Sequence, residues 1–152
     1  MSTPNNQTDT ADPFDLNRFT DAQENVYQQV LMELEQGRKR THWIWYIFPQ
    51  IDGLGHSGMA EKYAIKNLDE ARAYLRHDVL GARLTECTEK VIAIDGKSVA
   101  TIFGYPDDLK FRSCMTLFSS IAGPESVFSA ALEKYFHGEK DAMTLALLGV
   151  TG

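Results

Sequence analysis

The chain contains little cysteine and no long apolar segment. Two of its 152 residues are cysteine, Cys87 and Cys114, which is too few for a disulfide framework. Both lie in apolar stretches, so we predict that they are small core residues in a reducing compartment. No run of about 18 apolar residues is present, so we predict no membrane span and no membrane partner. The first dozen residues also lack the pattern of a signal peptide, and we therefore predict a cytoplasmic protein.

Basic charge is also scarce. Lysine and arginine number 15 against 21 aspartate and glutamate, and the formal net charge is −6 at pH 7. Nucleic-acid binders usually carry a basic excess or a basic face, so we expect no nucleic-acid partner. The longest basic run, at residues 38–40, is interpreted as a solvated helix end. Neither HExxH nor CxxC spacing occurs, so we predict no metal site, and nothing in the sequence indicates a cofactor.

The remaining composition is typical of one globular domain. Residues 1–12 contain almost nothing that can be buried, and we predict a disordered tail. Within residues 13–152, apolar side chains recur at intervals of three and four, as in Tyr27, Val30 and Leu34, which is typical of amphipathic helices. Predicted helix N-caps are Asp15, Thr20 (in a capping box with Gln23), Thr41, Ser57, Asn67, Asp78 and Asp141. The sequence therefore predicts an all-α fold, a single compact domain of seven to nine short helices.

One aromatic segment, residues 41–50 (THWIWYIFPQ), holds both tryptophans, and a glycine loop follows at residues 53–58 (GLGHSG). The alternation of Ile44, Tyr46 and Phe48 is compatible with a strand. Trp43 and Ile47 instead fit one face of a helix. We favour a short helix because no partner strand is apparent elsewhere, although the pattern allows both.

The aromatic segment carries more large rings than one buried face can hold. In a helix, Trp43, Trp45 and Tyr46 cannot all point to one core, so some aromatic surface is left for a cleft, a partner or a neighbouring loop. The glycine loop precedes a predicted helix, where backbone amides and the Ser57 hydroxyl can hold an anion. A tight turn between two helices explains the same glycines, and the loop matches no nucleotide-binding fingerprint.

A second polar cluster follows at residues 107–116. Lys110 and Ser113 share one helical face, so a charged group and a hydroxyl project together. Asp107 and Lys110 can position a substrate or form a surface ion pair. We predict a small-molecule site where this helix meets the aromatic segment and glycine loop, with His42, Asp107 and Lys110 in acid–base or positioning roles. The other ligand-binding candidates are Trp43, Trp45, Tyr46, Gln50, Gly53, Gly55, Ser57, Ser113 and Thr116. The expected ligand is planar, and nucleotide-like or phosphorylated.

Several stretches together resemble a known family. They are residues 42–50 (HWIWYIFPQ), 53–57 (GLGHS), 70–77 (EARAYLRH), 80–84 (LGARL), 102–118 (IFGYPDDLKFRSCMTLF) and 141–145 (DAMTL). The combination is similar to the bacterial family called domain of unknown function 1810, whose members are sometimes mislabelled calpastatin. The resemblance covers about residues 14–148 and implies an all-helical fold without implying a reaction. Cys114 stands where the family commonly has a second serine, and Asp78 where it commonly has proline.

Two other functions are compatible with these observations. A protein-interaction or homodimerisation module would use an aromatic surface formed by Trp43 and Trp45, since such rings favour interfaces. That interpretation allows a monomer or a weak homodimer. An N-glycosidase-like enzyme acting on nucleotide derivatives is a third hypothesis, based on a faint similarity in the order of the segments. The sequence does not decide whether the protein is an enzyme.

Overall fold

The computed structural model describes residues 12–149, and within them the chain forms ten helices. They are α1 (Asn17–Gln23), α2 (Tyr27–Glu35), α3 (Ile44–Ile47), α4 (Gly58–Lys62), α5 (Leu68–Arg76), α6 (Leu80–Ile92), α7 (Val99–Phe103), α8 (Asp107–Ala122), α9 (Val127–Phe136) and α10 (Ala142–Leu148). No strand occurs in residues 12–149, so the predicted all-α class is confirmed. The count exceeds the predicted seven to nine because α3, α4 and α7 are helices of only four or five residues.

The predicted N-terminal tail, residues 1–12, lies outside the described residues except for its last member, Asp12. The Asp12 carboxylate accepts hydrogen bonds from the backbone N–H groups of Leu16, at 2.6 Å, and Asn17, at 3.1 Å. These two donors are among the N–H groups that the start of a helix leaves without a partner. Asp12 therefore holds the beginning of α1.

The aromatic segment forms a short helix, as favoured from the sequence. Helix α3 begins at Ile44 and ends at Ile47. Just after it, Ile51 and Ile65 form an isolated parallel bridge, in which Asp52 N donates to Ile65 O and Ile65 N donates to Gln50 O, both at 2.8 Å. The bridge ties the two ends of residues 52–64 together, and this segment contains the glycine loop and α4.

Helix α8 runs through the core and packs against α3, α5, α7, α9 and α10. Its residues Phe111, Cys114 and Phe118 are fully buried. The Phe111 ring lies 5.0 Å from Phe48, edge to face, and 4.7 Å from Phe103, stacked. Such aromatic pairs add to the stabilisation that burial provides. They dock the end of the aromatic segment onto the middle of α8.

Three predicted helix caps are confirmed, whereas those predicted at Asp15, Thr20 and Thr41 were wrong, since α1 and α3 begin without a side-chain cap at Leu16 and Trp43. Ser57, Asn67 and Asp141 accept hydrogen bonds from the backbone N–H groups at the starts of α4, α5 and α10. The prediction for Asp78 was wrong. The ring nitrogen Nδ1 of His77 accepts from Val79 N at 3.1 Å and Leu80 N at 3.2 Å, because His77 has an extended backbone that directs its ring back over the first turn of α6.

Both cysteines are buried and free, as predicted for core residues. Burial raises the pKa of Cys87 to about 12 and also raises that of Cys114. Thiols in this state are poor nucleophiles because the thiolate is the reactive form. In residues 12–149, no helix is both long and apolar enough to cross a membrane.

Candidate functional site

A cleft of about 210 Å³ lies between the glycine loop, the start of α8 and the start of α10. Its apolar wall consists of Leu54, Ala60, Pro106, Leu109 and Met143. Its polar groups are Gln50, Lys110, Ser113 and Asp141, and Gly55 completes the lining. Four residues predicted from the sequence therefore lie together here, namely Gln50, Gly55, Lys110 and Ser113.

Trp45 lies beside the cleft, where it lines a much smaller adjoining space. That space has a volume of about 10 Å³ and shares Gln50, Leu54, Gly55 and Ala60 with the main cleft. Such a volume is at the lower limit for one water molecule and is far too small for a ligand ring. Trp45 therefore lies at the edge of the site, and the volume available to a ligand is that of the main cleft.

Two lysines, two tryptophans and one aspartate form what we call the Lys110 cluster: Lys39, Trp43, Trp45, Asp107 and Lys110. The Asp107 carboxylate lies 2.8 Å from Lys39 Nζ and 3.6 Å from Lys110 Nζ. Each ammonium lies over a tryptophan ring, Lys39 at 5.1 Å from Trp43 and Lys110 at 5.2 Å from Trp45. Both distances are within the range of cation–π attraction. The cluster thus holds two cations around one shared carboxylate.

Lys39 was not recognised as a site residue from the sequence, where it belonged to a basic run expected to be solvated. Its side chain is only 5% exposed. Its ammonium donates to Thr41 O at 2.6 Å, and its backbone N donates to Ile102 O at 2.7 Å. The partner Asp107 lies far along the chain, so no local spacing could have revealed the pair.

Glu33 on α2 was also missed, although it fixes the segment that carries Lys39. The side chain is fully buried, and Oε1 accepts hydrogen bonds from Arg40 N at 2.7 Å, Thr41 N at 3.1 Å and Trp43 Nε1 at 2.9 Å. The Thr41 hydroxyl and a glutamine amide of α2 donate to Oε2. Burial raises the pKa of Glu33, but these hydrogen bonds outweigh it and lower the pKa to about 2.

Three of the predicted ligand-binding residues are buried: Ser113, which still lines the cleft at 6% exposure, and Trp43 and Thr116, which do not line it. Trp43 is 1% exposed, and Thr116 is fully buried. The Thr116 hydroxyl donates to Arg112 O at 2.9 Å and accepts from Asp141 N at 2.8 Å, which joins α8 to the start of α10. Since neither Trp43 nor Thr116 presents side-chain surface to solvent, we leave both outside the site proposed below.

His42 and Tyr46 lie outside the lining of the cleft. His42 is exposed, and its carbonyl accepts a hydrogen bond from the Tyr46 hydroxyl at 3.3 Å. The half-buried Tyr46 ring packs against Tyr63 at 5.3 Å, and burial raises the pKa of the Tyr46 hydroxyl. Of the three residues predicted for acid–base or positioning roles, Lys110 lines the cleft, and His42 and Asp107 do not.

The glycine loop is packed closely against its surroundings. Gly53 has a φ of +107°, and a Cβ at this position would lie 3.1 Å from the Leu147 side chain. A Cβ at Gly55 would lie 2.8 Å from the Cβ of Ala60. Ser57 uses its hydroxyl oxygen to cap α4 at Ala60 N, 3.1 Å away. Close contact with neighbouring side chains accounts for glycine at both positions.

The fold and the cleft define a class of protein: a small all-helical domain in which one lysine and several other polar groups face an apolar recess. The chain belongs to the family described as "Protein of unknown function (DUF1810)", whose model matches residues 13–148. The family resemblance inferred from the sequence motifs is thus confirmed.

One similar solved structure is the crystal structure of the conserved hypothetical protein Rv1873 from Mycobacterium tuberculosis at 1.38 Å. The two chains are 53% identical, and the match has a TM-score of 0.89 and covers 91% of this chain and 99% of the other. No curated protein matches the sequence.

Proposed function

We propose that this domain binds a small planar molecule in the cleft between the glycine loop and α8. The observation that carries the proposal is the lining, in which an apolar wall meets polar groups that come from several elements. Small-molecule sites commonly combine apolar walls with a few polar groups that orient the ligand. Gln50, Lys110 and Ser113 would provide that orientation here.

Lys110 is the residue best suited to hold a ligand. Its ammonium has no hydrogen bond to any residue in the described part of the chain, and its ion-pair neighbour Asp107 is 3.6 Å away. The side chain is 28% exposed, and the Trp45 ring lies beneath the ammonium. An ammonium has three donors, so those of Lys110 are available to an incoming acceptor.

The size of the cleft limits what it can enclose. A volume of about 210 Å³ lies below the roughly 300 to 1,000 Å³ of sites for drug-sized ligands. One ring with a small substituent fits this space. A nucleotide-like ligand, as expected from the sequence, would place only its base or another single group inside.

Thermal unfolding in the presence of nucleosides, nucleotides, nicotinamide and aromatic acids tests the proposal. We expect at least one class to raise the melting temperature, since a ligand at about 100 times its Kd stabilises by about 2.7 kcal/mol. Lys110→Met should abolish that increase. Lys134→Met is a matched control, because Lys134 also lies over an aromatic ring beside an aspartate. An unchanged melting temperature across the panel would contradict the proposal.

Chromatography of the same mixtures examines the enzymatic version of this proposal. Release of a free base from a nucleotide derivative by the wild-type protein, and not by Lys110→Met, would identify an N-glycosidase activity. Intact compounds after long incubation would leave ligand binding as the function and rule out that activity for the compounds tested.

An interaction module is the second candidate function. The surface that favours it is not the Trp43 and Trp45 surface expected from the sequence. Trp43 is buried and Trp45 half-buried, so the two rings do not form an exposed pair. The exposed apolar side chains around the cleft are Tyr105 (82%), Leu109 (45%), Met143 (59%) and Leu147 (44%). Exposed apolar patches often mark contacts with other molecules.

Light scattering over a range of protein concentrations separates the two candidates. A dimer that is lost in the double variant Tyr105→Ser/Met143→Ser would favour the interaction module. A monomer at every concentration, together with a ligand-dependent rise in melting temperature, would favour the small-molecule site. The variant Trp45→Ala tests the interface originally expected from the sequence.

A further inference from the structure

We infer that the cleft recognises a singly charged carboxylate on a planar ring, and that Lys110 binds this carboxylate. The inference rests on the proposed function and narrows its ligand class, since the sequence alone suggested a phosphorylated or nucleotide-like molecule. Three observations carry it: the charges around Lys110, the hydrogen bonds already made at the start of α8, and the apolar wall.

The charged groups around the cleft sum to zero, and Lys110 is the cation among them that has no close ion pair. Lys39 and Asp107 form a largely buried pair at 2.8 Å, which is neutral as a unit. Asp141 lies at the start of α10, where the helix dipole stabilises its negative charge. Lys110 is the remaining cation. A monoanion matches it, whereas a phosphate monoester carries about −1.5 to −2 at pH 7 and would add repulsion with Asp107 and Asp141.

No arginine in the described residues lines the cleft. Arg112 is on the same helix as Lys110, but its guanidinium donates to the backbone carbonyls of Glu139 and Lys140 at 2.9 Å and 3.3 Å. Planar, forked recognition by arginine is a common way to bind phosphate. Here the nearby guanidinium already holds the segment that leads into α10.

At the start of α8, three backbone amides are already bonded. At α8, Asp108 N donates to Gly104 O at 2.9 Å, and Lys110 N donates to Pro106 O at 3.2 Å. Leu109 N donates to Pro106 O and to the carboxylate of Asp108. Phosphate sites at helix starts depend on such N–H groups being free. A carboxylate that binds the Lys110 ammonium does not need them.

Asp107 indicates how a ligand carboxylate would be held. Its Oδ1 atom lies 3.6 Å from Lys110 Nζ, while Oδ2 remains with Lys39. A ligand carboxylate that approaches to hydrogen-bond distance would replace this long contact and leave the shorter pair intact. The ring of the ligand would then lie against the apolar wall formed by Leu54, Leu109 and Met143.

Matched pairs of small probes test the inference. Benzoate and phenyl phosphate share a ring and differ in the anionic group, while nicotinate and nicotinamide differ in the presence of the charge. Ligand-observed NMR titration should show that the two carboxylates bind at least about tenfold more tightly than their partners. A charge-assisted hydrogen bond accounts for this ratio between nicotinate and nicotinamide. Repulsion of the second phosphate charge by Asp107 and Asp141 accounts for it between benzoate and phenyl phosphate.

The protein provides an internal reporter for the location of binding. It has two tryptophans, so its indole N–H groups give two signals, and Trp45→Phe assigns them. Benzoate should shift the Trp45 signal, because the ligand draws the Lys110 ammonium away from that ring, and should leave the buried Trp43 signal in place.

Lys110→Met should remove the preference for the acids, whereas Lys134→Met should keep it. Phenyl phosphate binding as tightly as benzoate would overturn the inference and leave the proposed function standing. Preference for acids that survives in Lys110→Met would also overturn it. If no ring compound binds and none raises the melting temperature, the proposed function fails together with the inference.

Discussion

Lys110 and Lys134, like the buried Lys39, lie over aromatic rings beside aspartates, yet the ammonium groups of Lys110 and Lys134 have different surroundings. Lys110 lies 5.2 Å from the Trp45 ring and 3.6 Å from Asp107. Lys134 lies 5.3 Å from the Tyr135 ring and 3.4 Å from Asp95. The Lys134 ammonium also donates to two carbonyls at the end of α6, those of residues 92 and 94. Lys110 has no comparable acceptor among the residues the structure describes.

The difference shows that a lysine, a ring and an aspartate do not by themselves define a site. The last carbonyls of a helix have no partner within the helix, and a lysine near them is favoured by hydrogen bonding and by the helix dipole. Lys134 meets that requirement at the end of α6. Lys110 lies at the start of α8, where such carbonyls are not exposed, and its donors stay available. Position relative to the helix ends separates the structural lysine from the candidate ligand-binding lysine.

The largest loss of stability is expected for Glu33, which holds the segment that carries Lys39. Glu33→Gln should destabilise the protein by about 3 kcal/mol, because an amide cannot accept all the hydrogen bonds that the buried carboxylate accepts. The exposed Glu35, on the same helix and paired with Lys90 at the surface, offers the control Glu35→Gln, which should change stability by less than about 0.5 kcal/mol. Urea denaturation measures both values.

The lowered pKa of Glu33 predicts that the free energy of unfolding depends on pH. The folded-state pKa of about 2 lies below the ordinary 4.5, so the stabilisation is fully present above about pH 4.5 and is lost as the pH falls towards 2. A shift of this size corresponds to about 3 kcal/mol. The free-energy difference between wild type and Glu33→Gln should therefore shrink over this range. Parallel curves for the two proteins would show that Glu33 is not the responsible group.

The next largest effect on stability is expected at Asp107, and its matched control is Asp95. Asp107→Asn removes the charged partner of Lys39, whose side chain is 5% exposed, and should cost about 2 kcal/mol, since it leaves a buried ammonium without a counter-charge. Asp95 is 95% exposed, and Asp95→Asn should change stability by less than about 0.5 kcal/mol. Adding Lys39→Met to Asp107→Asn should recover part of the loss. Equal effects at the two aspartates would show that the burial of Lys39 does not determine the cost of losing its partner.

Lys134→Met should destabilise by about 1 kcal/mol, because it removes hydrogen bonds and a favourable charge at the end of α6. Amide hydrogen exchange should increase in the last turn of that helix. If α6 stays as protected as in the wild type, the carbonyl contacts of Lys134 do not stabilise the helix end, and the contrast with Lys110 loses its basis.

Lys110→Met should have the smallest effect on stability, below about 0.5 kcal/mol, because its partly exposed ion pair contributes little. Its effect should appear in ligand binding instead. Chemical denaturation and probe titration on the same sample measure the two quantities. A loss of 2 kcal/mol or more would assign Lys110 a structural role like that of Lys134.

Much of the fold could be predicted because helical signals are local. The cap at Asp141 depends on Thr144 N, three residues ahead, and the buried face of α8 follows from apolar residues three and four apart. Asp78 was assigned as a cap wrongly because a histidine one position earlier made the same kind of contact. Local patterns showed that a cap was needed there and did not show which side chain would supply it.

The candidate site was predictable only in part. The glycine loop and the residues 107–116 could be singled out from their composition, and Gln50, Gly55, Lys110 and Ser113 now lie along one cleft. Lys39 and Glu33 could not be found in this way, since their roles depend on Asp107 and on the loop after α2. His42 looked equally suitable in the sequence, and only its exposed position outside the cleft distinguishes it from Lys110.

The helical class, the buried cysteines, the family and the helix starts at Ser57, Asn67 and Asp141 could be predicted from the sequence, because each depends on neighbours within a few positions or on recurring motifs. Tertiary structure decided which tryptophan is buried, which lysine caps a helix and which one faces the cleft. The physical reason is that an ammonium group makes whatever contacts lie within a few ångströms of it. Those neighbours come from α2, α6 and α8, segments that are far apart in the chain and meet only in the folded domain.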